Sequence, residues 1–313
     1  MDNTGKMPAG DRRLFYSLAP AAVISMGILV VMTVLFIYYS IPAVRVYGAK
    51  LITTSTWSPS EYGEPSYGLL IPILGTLISS IIAVVIALPL ALSAVFFTEE
   101  VLPRSMGSVR SAFASLIEAM TGIPTIVYGL WGLMVLSPFL RDNVYQPLYR
   151  YLGFIPLFSC EPVTGSTILT AGILLSIMIT PFIYAVVRQS YNQVPRTYKE
   201  AILALGATRY EYARILFGMI KPAILAGALI GFGRAAGETV AVALVVGNTF
   251  NPPTCILSPS YTVSALIANQ FANAPLYPYM VNVLVLGGLI LLVLGIISNI
   301  LGVMYLARVR YVA

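Results

Sequence analysis

Along this chain, long uncharged apolar stretches alternate with short segments that hold nearly all the charge. Residues 14–44, 65–98 and 162–187 carry no Asp, Glu, Lys or Arg, and residues 111–140 carry only Glu118. After Lys221 the only charges before Arg308 are Arg234 and Glu238. That last stretch is too long for one helix, and it divides at the turn-rich segment from Asn251-Pro252-Pro253 to Pro278. A helix needs about 20 apolar residues to cross the hydrocarbon core. The pattern therefore predicts six spans, near 15–40, 69–97, 112–138, 165–187, 222–247 and 279–304. Helices suit lipid because their backbone hydrogen bonds close internally. Runs this uniformly apolar do not fit the alternating strands of a membrane barrel. The first span is longer than a signal-peptide h-region and no small-residue cleavage site follows it, so it is expected to be retained.

Composition agrees with this reading. Of 313 residues, 58% are hydrophobic and 10% charged, and the mean hydropathy is +0.87. Soluble domains run near 45–50% apolar and about 25% charged. Histidine is absent, which excludes His-ligated zinc, His-ligated haem and a Ser-His-Asp triad. Two cysteines are too few for an iron–sulfur cluster or an all-cysteine zinc site. No metal site is expected.

The net charge of +6 takes its meaning from position. Thirteen basic residues fall on one side of the predicted spans: Lys6, Arg12, Arg13, Arg104, Arg110, Arg188, Arg196, Lys199, Arg209, Arg214, Lys221, Arg308 and Arg310. Four fall on the other: Arg45, Lys50, Arg141 and Arg150. Basic loops stay in the cytoplasm, so both termini are expected there. The surplus reflects topology, and a nucleic-acid partner is not implied. The fold class is all-α, a polytopic membrane protein of six transmembrane helices. Its parts are a cytoplasmic N-terminus (1–14), a first span (15–40), an extracellular loop (41–68), a five-helix domain (69–304) and a cytoplasmic C-terminus (305–313).

The largest cytoplasmic loop, 188–221, holds two helix starts. Thr197-Tyr198-Lys199-Glu200 and Thr208-Arg209-Tyr210-Glu211 both have capping-box spacing. Gly206 lies between them, where the first helix must end. Two short helices at the membrane face are expected. An ordinary structured loop fits the same residues.

Glu118, Arg234 and Glu238 fall inside spans, where each costs about 2.5–3.5 kcal/mol unless paired or facing water. Arg234 and Glu238 are four residues apart and would share a helix face. At about 1.5 Å per residue, Arg234 sits roughly 20 Å above Lys221, and Glu118 about 12 Å inside Arg110. A shared polar patch between the third and fifth spans is expected. It could be a buried ion pair that only orders the helices. It could also be a gate or binding point for an anion, since arginine offers a planar fork to an oxyanion. Thr239 belongs to the same stretch. Gly227 and Gly231, then Gly233 and Gly237, make two GxxxG spacings that let helix backbones approach closely. Gly231-Phe232-Gly233-Arg234-Ala235-Ala236 also matches a dinucleotide fingerprint, but no strand precedes it and no acid follows about 20 residues on.

Glu200-Ala201-Ile202 followed by Gly206-Ala207 resembles the EAA signature of binding-protein-dependent ABC importer permeases. In that family the motif forms a helix that docks on an ATPase subunit, which implies that role for Glu200, Ala201, Gly206 and Ala207. The family's usual Leu-Pro after the glycine is replaced by Gly218-Met219, with the proline at Pro222. Gly233-Arg234-Ala235-Ala236-Gly237-Glu238-Thr239-Val240-Ala241-Val242-Ala243 resembles the PstC-type phosphate permeases of this family. So do Gly122-Ile123-Pro124, Val127-Tyr128-Gly129-Leu130-Trp131-Gly132, Gly153-Phe154-Ile155-Pro156 and Thr262-Val263-Ser264-Ala265.

The resemblance implies a type I ABC importer permease fold in the cell membrane and a role in high-affinity uptake of inorganic phosphate. Its implied partners are a second permease of the PstA type, two copies of an ATPase and an extracellular phosphate-binding protein. The chain has no GxxxxGK[ST] sequence and hence no P-loop of its own. It is expected to be no enzyme and to bind no cofactor, with ATP–Mg used by the ATPase. Sulfate or molybdate is the alternative cargo. An ion-coupled secondary transporter is disfavoured by the docking loop and the lack of a clear internal repeat. A carboxyl dyad of Glu118 and Glu238 is the one conceivable intramembrane enzyme site, and little supports it. Cys160 and Cys255 fall in outer loops, where a disulfide is permitted; a bridge and two free thiols both stay open. The uncharged segment 251–278 is either a surface for the binding protein or a packed re-entrant piece.

Overall fold

The computed structural model describes residues 9–60, 64–102 and 106–307. Lys6, Arg104, Arg308 and Arg310, together with the outer parts of both terminal segments, lie outside the described residues. Among those residues the chain is almost wholly helical. Four straight helices are long and apolar enough to cross a membrane, and two bent pairs raise the number to six if each pair is one span. The straight ones are α1 (Ala9–Tyr47), α2 (Leu70–Val101), α5 (Ile168–Gln193) and α11 (Met280–Leu306). The first pair is α3 (Gly107–Gly122) with α4 (Thr125–Leu152), bent by 91°. The second is α7 (Arg209–Met219) with α8 (Lys221–Gly237), bent by 68°. Between them lies α6 (Arg196–Ala204). After α8 come α9 (Val240–Val245) and α10 (Val263–Gln270). A two-residue antiparallel ribbon, β1 (Trp57–Ser58) with β2 (Ser66–Tyr67), closes the loop after α1.

The first bend corrects the expectation of a continuous span at 112–138; the second falls where the loop 188–221 was expected to give way to the span from 222. In the first, Pro124 has no amide hydrogen to give and forces its predecessor out of the helical region; Ile123 is extended, with ψ 127°. In the second, the helix turns at Ile220 and restarts with Pro222 in its first turn, where a missing amide costs nothing. The expected span 222–247 is broken at its far end. Glu238 is extended (ψ 130°) and α9 starts only at Val240.

Helix α5 is the centre of the bundle. Two thirds of its apolar window (67%) is buried, against 0% for α1. It starts at Thr167, whose hydroxyl accepts the Thr170 amide at 3.1 Å. Helices α2 and α8 pack along it, and α11 packs on α8. Helix α1 lies outside this core against α11, with the Asn282 amide donating to the Tyr39 carbonyl at 2.7 Å. Three of the four glycines behave as spacers. A Cβ on Gly227 or Gly231 would lie 3.4 or 3.1 Å from Ile183 of α5, and one on Gly233 would strike Ser298 of α11. Gly237 is different: a Cβ there would meet nothing within 4 Å. It ends α8 rather than packing it within this chain.

In the loop 188–221, two short helices form as expected. Only the second is capped as the sequence suggests. Thr208 and Glu211 form the full reciprocal box. The first box does not form, because α6 starts two residues earlier, with Pro195 at its N-cap and no side-chain cap. Gly206 turns the chain with φ +77°, a left-handed conformation that glycine adopts without strain. The uncharged segment 251–278 is packed in its middle, over 255–266, and mostly exposed over 268–278. Cys255, Leu257, Tyr261 and Val263–Leu266 are buried, and α10 rests on α9 and α11.

Replacing Gly231 with leucine should push α8 off α5 and cost about 1–3 kcal/mol. Thermal unfolding of the detergent-solubilised assembly reads this; an unchanged midpoint would contradict the α8–α5 contact.

Candidate functional site

Two broken helices meet in the middle of the molecule. Helix α4 leaves the Pro124 bend and packs against α9, which follows the Glu238 break. Gly129 permits the contact: a Cβ there would lie 2.9 Å from the Ala241 Cα and 2.7 Å from Leu244. Non-helical backbone at membrane depth needs protein partners for its polar groups. Here they come from α10, whose Ser264 hydroxyl donates to the Glu238 carbonyl at 2.7 Å. The Glu238 carboxylate folds forward and faces the Ala241 amide at 3.5 Å, the start of α9. The Thr239 hydroxyl bonds back to Gly237 at 3.3 Å.

Arg234 lies in the last turn of α8 and is exposed. Its guanidinium stands over the Phe182 ring of α5, 4.0 Å from the centroid. It makes no ion pair among the described residues. The expected Arg234–Glu238 pairing is therefore not formed. The four-residue spacing would bring them together only in a continuous helix, and the helix stops between them. The arginine is held instead by cation–π attraction, which leaves its five N–H donors available.

Glu118 also departs from expectation. It does not join Arg234. Its carboxylate instead accepts from Arg188 Nη1 at 3.4 Å. Arg188, near the end of α5, donates more closely from Nε to Glu99 Oε1 at 2.8 Å, and Arg110 pairs with the same carboxylate. The Glu99 side chain is only 1% exposed. Leaving one partner of such a buried pair alone costs about 3–5 kcal/mol. Glu99 was legible in the sequence only as the charge that ends the second span. Its pairing with residues 11 and 89 positions away is a tertiary fact with no local signal.

The residues of the predicted docking motif line one exposed surface. Glu200, Ala201 and Gly206 are exposed and Ala207 is half-buried. Leu203, Leu205 and Tyr210 beside them are exposed by 54, 88 and 72%. An apolar patch of this kind next to charged groups marks a protein contact. A cavity of about 670 Å³ opens beside it, lined by Leu205, Gly206, Ala207, Glu211, Arg214 and Ile215. Two hydrogen bonds from Thr208, first its amide and then its hydroxyl, hold the Glu211 carboxyl below the usual carboxylate range.

The chain can now be set beside known proteins. Residues 101–311 match the family described as binding-protein-dependent transport system inner membrane component. The chain belongs to this family. It is 44% identical over 294 residues to a chain of Methanocaldococcus jannaschii named a probable phosphate transport system permease protein PstC, covering 93% of this chain and 92% of that one. It is 39% identical over 236 residues to the phosphate transport system permease protein PstC of Xylella fastidiosa (strain Temecula1), covering 74% and 71%. Among solved structures it resembles an inward-facing MetNI methionine ABC transporter, with TM-score 0.52 and 18% identity over 78% of this chain and 95% of that one. That likeness concerns the fold alone, the type I ABC permease fold. The protein is a multi-pass membrane protein of the ABC transporter family.

Cys160 and Cys255 are neighbours but not bonded. Both are free thiols, and the Cys160 amide donates to Cys255 Sγ at 3.2 Å. Burial first, and then the adjacent Cys255 thiol, push the Cys160 thiol up to about 11. Thiol counting on unreduced, denatured protein should find two per chain. In the folded assembly, alkylation of Cys160 should quicken roughly tenfold per pH unit between about pH 8 and 10, because the thiolate is the nucleophile. A rate that stays flat over that interval would contradict the raised value.

Proposed function

We propose that this chain is the membrane-spanning permease subunit of an ATP-driven importer of inorganic phosphate. The carrying observation is the exposed guanidinium of Arg234, held over Phe182 without a carboxylate partner where α8 breaks. Broken helices are where transporters place their cargo, and a planar fork suits a tetrahedral oxyanion. Similarity to phosphate permeases over 93% of the chain supports phosphate as the cargo.

In this reading both termini are cytoplasmic, and α6 with Gly206 docks on an ATPase. A second permease of the PstA type completes the path. Two ATPase subunits supply ATP–Mg hydrolysis, and an extracellular binding protein delivers phosphate. This chain binds no cofactor and catalyses nothing. Closure of the ATPases moves α6. The Pro124 and Glu238 breaks then shift against each other, and the path opens to the other side. Arg234 receives the anion. Glu238 and Thr239, at the break that follows Arg234, offer a carboxylate and a hydroxyl, and the carboxylate can accept a hydrogen bond from a protonated phosphate oxygen. Arg234 must hold the anion loosely, since it must also release it. Cation–π support fixes the guanidinium while adding no competing negative charge.

Two experiments test this. Labelled phosphate uptake is measured at low external phosphate in cells that lack this chain but keep its partners, with labelled sulfate as control. Wild type should restore phosphate uptake only. Arg234→Gln should assemble and lower uptake by about a hundredfold, the order seen when one charged contact worth about 2.7–4 kcal/mol is lost. Normal uptake by that variant would remove Arg234 from the path, and sulfate uptake would reassign the cargo. Glu200→Arg should release the ATPase during purification; undiminished co-purification would exclude Glu200 from docking.

A further inference from the structure

Two sets of side-chain contacts, joined through the backbone of one helical turn, run from the docking helix to the first helix bend. The first begins at Lys199, the neighbour of Glu200 on α6. Its Nζ lies 4.5 Å from the centroid of the Tyr191 ring on α5. The Tyr191 hydroxyl donates to Glu100 Oε1 at 2.6 Å. Glu100 shares the wide π-helical turn Phe97–Val101, at the end of α2, with Glu99. Glu99 receives Arg188 of α5 and Arg110 of α3. Arg188 continues to Glu118 on α3, four residues before Gly122 and the 91° bend.

We infer that Glu99 is a positioning residue for coupling: it ties α2, α3 and α5 into one unit that carries the movement of α6 to the α3–α4 bend. The inference rests on the proposed docking of α6 on an ATPase. Arg188 has two available carboxylates on different helices, Glu99 at 2.8 Å and Glu118 at 3.4 Å. A small shift of α3 against α5 moves the guanidinium from one to the other. In this structure Arg188 bridges both carboxylates at once, Nε to Glu99 and Nη1 to Glu118; the inference requires that one contact give way to the other, since transmission between distant sites needs two arrangements. There is also room for the change. A polar cavity of about 410 Å³ lies among Glu99, Glu100, Arg110, Asn192, Arg196 and Lys199, at the junction of α2, α3, α5 and α6. Strength alone does not account for the arrangement, because well-packed apolar residues usually stabilise a buried site as well as an ion pair does.

The test uses the whole complex, reconstituted in vesicles with its binding protein. Phosphate carried per ATP hydrolysed is measured for wild type and Glu99→Gln. A nucleotide-dependent distance is measured between spin labels at Leu116 on α3 and Tyr198 on α6, both exposed, with Cys160 and Cys255 replaced by serine. Glu99→Gln should keep its ATPase attached and active while phosphate per ATP falls about tenfold and the distance change is lost. Wild-type values for both would overturn the inference. If Glu99→Gln does not assemble, Tyr191→Phe removes one hydroxyl and leaves the Glu99 pairs intact. It should lower phosphate per ATP about threefold, and an unchanged ratio would overturn the inference. If the wild-type complex changes distance with nucleotide but carries no phosphate, the proposed cargo fails. The spin-label distance then decides the role of Glu99 alone: its persistence in Glu99→Gln overturns the inference and its loss supports it.

Discussion

A peptide backbone that enters hydrocarbon must find all its hydrogen bonds within protein. The packing around the helix breaks of this molecule follows from that demand. Unbroken helices such as α1, α2, α5 and α11 meet most of it within themselves. The chain is broken at Ile123–Pro124 and at Glu238–Thr239. Each break leaves polar groups that other elements must cover. Ser264 covers the Glu238 carbonyl, and the Gly129 contact brings α4 against α9. The stretch 260–266 is buried for the same reason: it supplies the cover.

Breaking the helices also redistributes the charges. In a continuous fifth span, Arg234 would have had Glu238 one turn away and the two would have neutralised each other. The break turns the carboxylate toward α9 and leaves the guanidinium on an aromatic ring. An arginine kept oriented but not neutralised is suited to a passing anion. The other membrane-facing charges have the opposite arrangement. Glu99 is enclosed by Arg110 and Arg188, so its charge is neutralised within the protein. The unpaired guanidinium and the buried ionic contacts therefore lie at different places.

The positions of most helices were legible from composition and spacing. Uncharged runs marked the spans, Gly206 marked the turn in the docking loop, and Thr208 with Glu211 marked a helix start that forms as written. Thr197 with Glu200 carried the same signal and did not form. Pro195 two residues earlier already sets a helical start, and a local cap cannot compete with a chain direction imposed by α5. Gly237 looked like its neighbours Gly227 and Gly231, yet only a view of what lies opposite separates a spacer from a terminus.

The sequence by itself determined that this is a helical, multi-pass membrane protein and what family it resembles. Both follow from hydrophobic length and from motifs that are local along the chain. Which charged residues meet was decided only by the tertiary structure. Pairing depends on distance in space: residues four apart, Arg234 and Glu238, were separated by one extended peptide. Residues 89 apart, Glu99 and Arg188, were joined because α2 and α5 pack side by side.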